Sequence, residues 1–252
     1  MKLKTLLLTL FLSTGLIGIT YADFGDGLEA FYKGDYKTAF NEWLPLAEQG
    51  DASAQKNISL LYEEGAGVKQ DYKAAVKWLT KAAEQGDAET QLELGFMYEE
   101  GVKVLKDDRE AVKWYRKAAE QGNAQAQSFL AGMYGKGTGV LKDIKEAVKW
   151  NKKAAEGGYA QAQYNLGVIY AQGQEVLRDN KAAVKWFTKA AEQGYASAQL
   201  YLAVMFINGD GVLKDLSKAK YWTQEAYENP EGSATTKEIA ESNWNDFELW
   251  KY

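Results

Sequence analysis

The chain copies itself every 36 residues. Gly50, Gly86, Gly122, Gly158 and Gly194 share that interval, as do Gln55, Gln91, Gln127, Gln163 and Gln199, and Gly65, Gly101, Gly137, Gly173 and Gly209. Five complete copies follow from it: 51–86, 87–122, 123–158, 159–194 and 195–230. Such a period leaves little choice of fold. Each copy is a supersecondary element that cannot bury its apolar face alone, so copies stack into a solenoid.

Each copy reads as two helices. Ala54, Ile58, Leu61 and Tyr62 fall at i, i+4, i+7 and i+8, one face of a helix, and Ala162, Leu166, Ile169 and Tyr170 repeat them. Ala75, Leu79, Ala82 and Ala83 mark the second helix. Asp71, Asp107, Asp143, Asp179 and Asp215 stand where second helices begin, as acceptors for free backbone N–H groups. The Gly of each AAEQG-like ending stands where a left-handed residue closes the helix. Asp51, Asp87 and Asn123 cap the first helices; Tyr159 and Tyr195 replace them in the last two copies and require some other support.

Between the helices lie loops of the GTGVLKD type. Their recurrent Val68, Val104, Val140, Val176 and Val212 are expected to anchor the loop, with Trp78, Trp114, Trp150, Trp186 and Trp222 as the surface they meet. Ser59, Gly95, Ala131, Gly167 and Ala203 share one slot inside the first helix. Gly there costs about 1 kcal/mol relative to Ala, so its recurrence predicts a neighbour too close for a side chain.

The ends differ. Lys2 and Lys4, the uncharged run Thr5–Ala22 and the closing Thr20-Tyr21-Ala22 have the layout of a secretory signal cleaved after Ala22. Gly15 and Gly18 interrupt its apolar stretch, which is short beside the roughly 20 residues of a membrane span. The expectation is an exported bacterial protein, periplasmic or secreted, with no membrane span after cleavage. Removing 1–22 moves the formal charge from −5 to −7, since it takes two lysines and no acid. Such a balance gives no grip on nucleic acid. With no Cys and no His, disulfides, thiolate chemistry and the commonest general base and metal ligand are absent, and neither cofactor nor metal is expected. Residues 23–50, with Gly34-Asp35 as a tight turn and Trp43 aligned on the core slot of Leu79, read as an N-terminal capping hairpin. Residues 231–252 read as a capping helix opened by Thr235 and Glu238, with Ile239, Trp244, Phe247 and Trp250 closing the last apolar face.

The segments LGFMYEEGVKVLKDDREAVKWYRKAAEQG and LGVIYAQGQEVLRDNKAAVKWFTKAAEQG resemble the Sel-one-like repeat, a relative of the tetratricopeptide repeat, and the resemblance spans 51–230. It implies an all-α, right-handed superhelical solenoid of antiparallel helix pairs, whose first helices line a concave groove for a protein or peptide. Carried over, the groove positions are Lys56, Asn57, Leu92, Glu93, Phe96, Gln125, Phe129, Gln161, Tyr164, Asn165, Val168, Leu200, Tyr201 and Val204. These slots vary between copies while core slots barely do, and Asn165 is placed to bond a ligand's backbone amide. A monomeric, non-enzymatic binding protein follows: an envelope adaptor, an immunity or inhibitor partner, or a host-contact factor. The alternative is a β-lactam- or peptidoglycan-acting enzyme like Cys-rich members of the family. Ser53-Ala54-Gln55-Lys56 matches Ser-x-x-Lys, but the companion Ser-Asp-Asn and Lys-Thr-Gly elements are missing.

Overall fold

A computed structural model describes residues 21–173 and 175–252. The expected export signal, apart from its last two residues, lies outside them. The described residues form thirteen α-helices and one 3-10 turn, without a strand. In order the helices are α1 Tyr21–Lys33, α2 Tyr36–Glu48, α3 Ala52–Glu64, α4 Tyr72–Glu84, α5 Ala88–Glu100, α6 Asp108–Glu120, α7 Ala124–Lys136, α8 Ile144–Glu156, α9 Ala160–Gln172, α10 Asn180–Glu192, α11 Ala196–Asn208, α12 Leu216–Glu228 and α13 Ala234–Asp246, followed by the turn Leu249–Lys251. Consecutive helices pack as antiparallel pairs, the solenoid expected from the periodicity. No described helix is long and apolar enough to cross a membrane.

The caps explain the helix boundaries. Asp51 accepts from the Ala54 N–H at 2.7 Å, Asp71 from Ala74 at 3.0 Å and Asp143 from Glu146 at 3.1 Å. Tyr159 and Tyr195 make no such bond. Their rings pack instead against the cores of α9 and α11, so apolar contact replaces the missing acceptor. The recurrent glutamines form the joint between copies. Gln55 Nε2 donates to the Ala47 carbonyl at 3.0 Å, Gln91 to Ala83 at 2.9 Å, and Gln127, Gln163 and Gln199 to Ala119, Ala155 and Ala191. Each adds a second donor to a carbonyl in the last turn of the preceding helix, which also accepts the N–H of the closing glycine, as Ala47 does from Gly50.

Chain compactness divides the molecule into two parts, one ending at Ala118 and the other starting at Ala119. In the first, Phe31, Ala39, Trp43, Leu46, Ala54, Ile58 and Leu61 form the core of α1 to α3, with Val68 and Trp78 packed against it. Leu79, Leu94, Met97 and Trp114 form a second cluster that Val104 joins. Valine thus anchors the loop as expected, and each loop is locked by a bond from its Asp N–H, such as Asp71 to the Tyr62 carbonyl at 3.0 Å. The next residue points away: Leu105, Leu141, Leu177 and Leu213 stand almost fully exposed. The tryptophans carry lysines over their rings, with Lys81 Nζ 4.0 Å from the Trp78 centroid and Lys153 Nζ 4.3 Å from that of Trp150.

The second part contains the cores around Leu166, around Phe187 and Leu202, and around Ile207 and Leu249. The small slot is filled by a ring from the paired helix rather than by a close backbone. A Cβ at Gly167 would lie 2.7 Å from the ring of Phe187, and one at Gly95 would collide with Tyr115. At the far end Ser233, not Thr235, caps α13. Of the expected lid residues, half-buried Trp244 packs on the core, while Ile239, Phe247 and Trp250 are exposed and Ala240 and Leu249 take their place. Ala240 packs in one buried cluster with Leu200 and Ala226.

Candidate functional site

In the first part the open edge of α3 and α5 is polar with one projecting ring. Lys56 Nζ pairs with Asp87 Oδ2 at 2.9 Å, and Lys103 pairs with Glu63. Glu93 stands among these four charges with an open face to solvent, and Phe96, one turn further along α5, is 47% exposed. Two expected contacts are corrected: Leu92 and Asn57 are buried, so neither meets a partner at this edge. Asn57 Nδ2 finds no hydrogen-bond acceptor among the described residues.

Loss of water around the Glu93 carboxyl, reinforced by the charge of Glu63, raises its pKa against the opposing pull of Lys103 and Lys56. Burial also works against the Asp87 carboxylate, but bonds from the Thr90 side chain, Lys56 and the Thr90 N–H outweigh it and hold its pKa below the usual range. Glu93 is therefore the incompletely neutralised charge of this edge. A carboxyl whose folded pKa exceeds its unfolded value favours folding at low pH, and that advantage is lost as pH rises through the folded pKa. Glu93→Gln is expected to raise the urea midpoint at neutral pH and to leave it unchanged below the unfolded value of roughly 4.3. The gain stays under about 1 kcal/mol because the side chain remains partly hydrated.

Sequence reasoning placed Glu63 on this edge but missed Asp87 and Lys103. Lys103 had a signal: Val102-Lys103-Val104 breaks the Gly-x-Gly-Val pattern at a slot where Gly67, Gly139 and Gly211 adopt positive φ. Lys103 keeps φ 67°, a conformation that costs a side-chain-bearing residue of order 1 kcal/mol or more. Its ammonium reaches Glu63 from there.

In the second part the edge is aromatic. Tyr164 lies 5.2 Å from Tyr195, 5.6 Å from Tyr201 and 5.8 Å from Phe187, measured between ring centroids. Phe187 stacks on Tyr201 at 5.2 Å. Burial pushes the Tyr164 phenol up to about 12, with Tyr201 and Tyr195 adding to the rise, so it stays a neutral hydrogen-bonding group at physiological pH. Tyr201 is 42% exposed and is the open face of this cluster. Gln125 and Gln161 are exposed, and Phe129, Tyr164, Val168 and Val204 are half-buried. Leu200, expected on the edge, is buried against Ala226 and Ala240. Asn165 is half-buried and donates to Asn151 Oδ1 at 3.4 Å, while Asn151 donates to the Ala162 carbonyl at 3.1 Å. The amide expected to greet a ligand is turned into this internal pair.

In the Ser53/Lys56 match the lysine is already engaged. Lys56 is held by Asp87, and no hydrogen bond joins it to Ser53 among the described residues.

The Sel1 repeat family model matches residues 52–87, 88–123, 124–159, 160–195 and 196–230, one residue out of frame with the periodicity. A Sel1 repeat protein of Oxalobacter formigenes is 35% identical with a TM-score of 0.75, and the match covers 91% of each chain. The protein c5321 of uropathogenic Escherichia coli, described as a protective antigen with this repeat fold, is 30% identical with a TM-score of 0.62. That match covers 88% of this chain and 56% of c5321. Comparison with curated proteins finds no match.

Proposed function

We propose that this chain, which belongs to the Sel1 repeat family, is an exported, non-enzymatic scaffold that holds a protein or peptide along the edge of its first helices. The observation that carries this reading is the exposure of Phe96 and of the outer face of Tyr201, one in each part. Rigid display of an aromatic ring lowers the ordering cost of capture. At the first edge, an apolar group over Phe96 and a cation near Glu93 are the complementary chemistry. Export is supported by the Lys2 to Ala22 pattern, and a protective antigen among similar proteins is in keeping with an envelope or secreted location. Nothing in the geometry favours the enzyme alternative, since the lysine of the Ser53-x-x-Lys56 match is engaged in an ion pair with Asp87.

The test is affinity capture from envelope extract with the wild-type protein and a Phe96→Ala/Tyr201→Ala variant. The variant is expected to lose the captured partner while its helical circular dichroism is unchanged. Undiminished capture by the variant overturns the edge as the binding surface.

A further inference from the structure

The last helix of a solenoid closes the core with one side and ordinarily turns a polar side outward. Here α13 buries Thr236, Ala240 and Asn243, and the turn after it is pinned by Leu249, which is fully buried. The outward residues are not uniformly polar. Ile239, Phe247 and Tyr227 are exposed, and Trp250 is 51% exposed beside the buried Leu249. The Tyr227 hydroxyl meets Glu241 Oε1 at 3.4 Å, which ties the rim of α12 to α13.

Charge singles out the same region. Residues 224–252 hold seven acidic side chains and two lysines, a net of −5. Once residues 1–22 are removed the chain carries −7, so this segment holds −5 of it and residues 23–223 only −2. One of the two lysines, Lys251, is paired with Glu248. Exposed rings on a segment of net negative charge suit one kind of occupant. Arginine stacks on aromatic faces and pairs with carboxylates in the same approach. A second copy would bring the same negative charge to the contact, and anionic lipid and nucleic acid are repelled alike.

We propose that the outer face of α13 and the Leu249–Lys251 turn docks a cationic protein segment in which arginines alternate with apolar side chains. This surface is separate from the edge assigned above, and its test distinguishes the two. A labelled peptide of repeated Arg-Leu-Gly triplets is titrated against the protein at fixed low salt, with repeated Glu-Leu-Gly triplets as the comparison. The arginine peptide is expected to bind and the glutamate peptide not to. Trp250→Ala and Phe247→Ala each speed its dissociation roughly tenfold, the scale of one lost ring contact. Glu238→Gln/Glu241→Gln slows association and flattens the salt dependence. In a Phe96→Ala/Glu93→Gln background, where the first edge no longer offers a ring beside a free carboxylate, Trp250→Ala and Phe247→Ala are expected to have the same effects on the binding that remains. These side chains are exposed, so undiminished melting temperatures will show that the variants remain folded. Equal binding of both peptides, unaltered dissociation from the two ring variants, complete loss of binding in the Phe96→Ala/Glu93→Gln background, or Trp250-dependent self-association overturns the proposal.

Discussion

Gly167→Ala is expected to destabilise the protein by about 1–3 kcal/mol, although alanine is the better helix former. The new methyl group would stand 2.7 Å from two ring carbons of Phe187, well inside contact distance. Phe187 has no room to retreat: it is fully buried, stacked on Tyr201 and flanked by Tyr164. Strain therefore exceeds the propensity gain. The other copies show the same bargain in reverse. Equivalent positions pair Gly95 with Tyr115, but Ser59 with Leu79, Ala131 with Asn151 and Ala203 with Thr223. A ring opposite demands Gly, and a smaller side chain permits a Cβ. In a Phe187→Leu background Gly167→Ala is accordingly expected to change sign and stabilise by up to about 1 kcal/mol. Urea unfolding of the four proteins of this cycle measures the coupling; simple additivity would refute the steric account.

Trp43→Ala is expected to cost about 3–5 kcal/mol, the loss typical of a large aromatic side chain removed from a core. Trp43 is fully buried, with ring centroids 5.7 Å from Phe31 and 5.9 Å from Phe24, and its indole N–H donates to the Phe24 carbonyl at 3.2 Å. It therefore joins α1 to α2 by packing and by a hydrogen bond at once. In a solenoid each copy is stabilised by its neighbours, so the damage is local at first. Hydrogen exchange should show the amides of α1 and α2 losing protection while those of α9 to α11 keep theirs. Uniform loss along the chain would contradict this.

These two sites also show why some of the structure was readable from residues and some was not. Helix pairs, caps and loop anchors repeat five times, and each repetition tests the assignment of a slot against a new side chain. Trp43 became readable by alignment with Leu79 for the same reason. The open edge has no such check. Whether Asn57, Leu92 or Leu200 faces solvent depends on which helix lies beside it, and these three proved buried. The final helix, with no copy to compare, was misread further. Apolar size suggested Ile239, Trp244, Phe247 and Trp250 as the lid; Trp244 does pack on the core, whereas Ala240 and Leu249 take the places expected of the other three. Glutamine recurrence was plain, but its cause, an amide reaching a carbonyl eight residues back, needed coordinates.

That glutamine contact carries a consequence for how such a chain varies in length. Because one side-chain amide and one helix-end carbonyl make the connection at every boundary, any copy presents the fitting its neighbour needs. A duplication or loss of one 36-residue block in the gene leaves a complete set of couplings. Copy number is then free to drift among descendants, and reach along a binding partner changes in whole steps without a new fold having to be found.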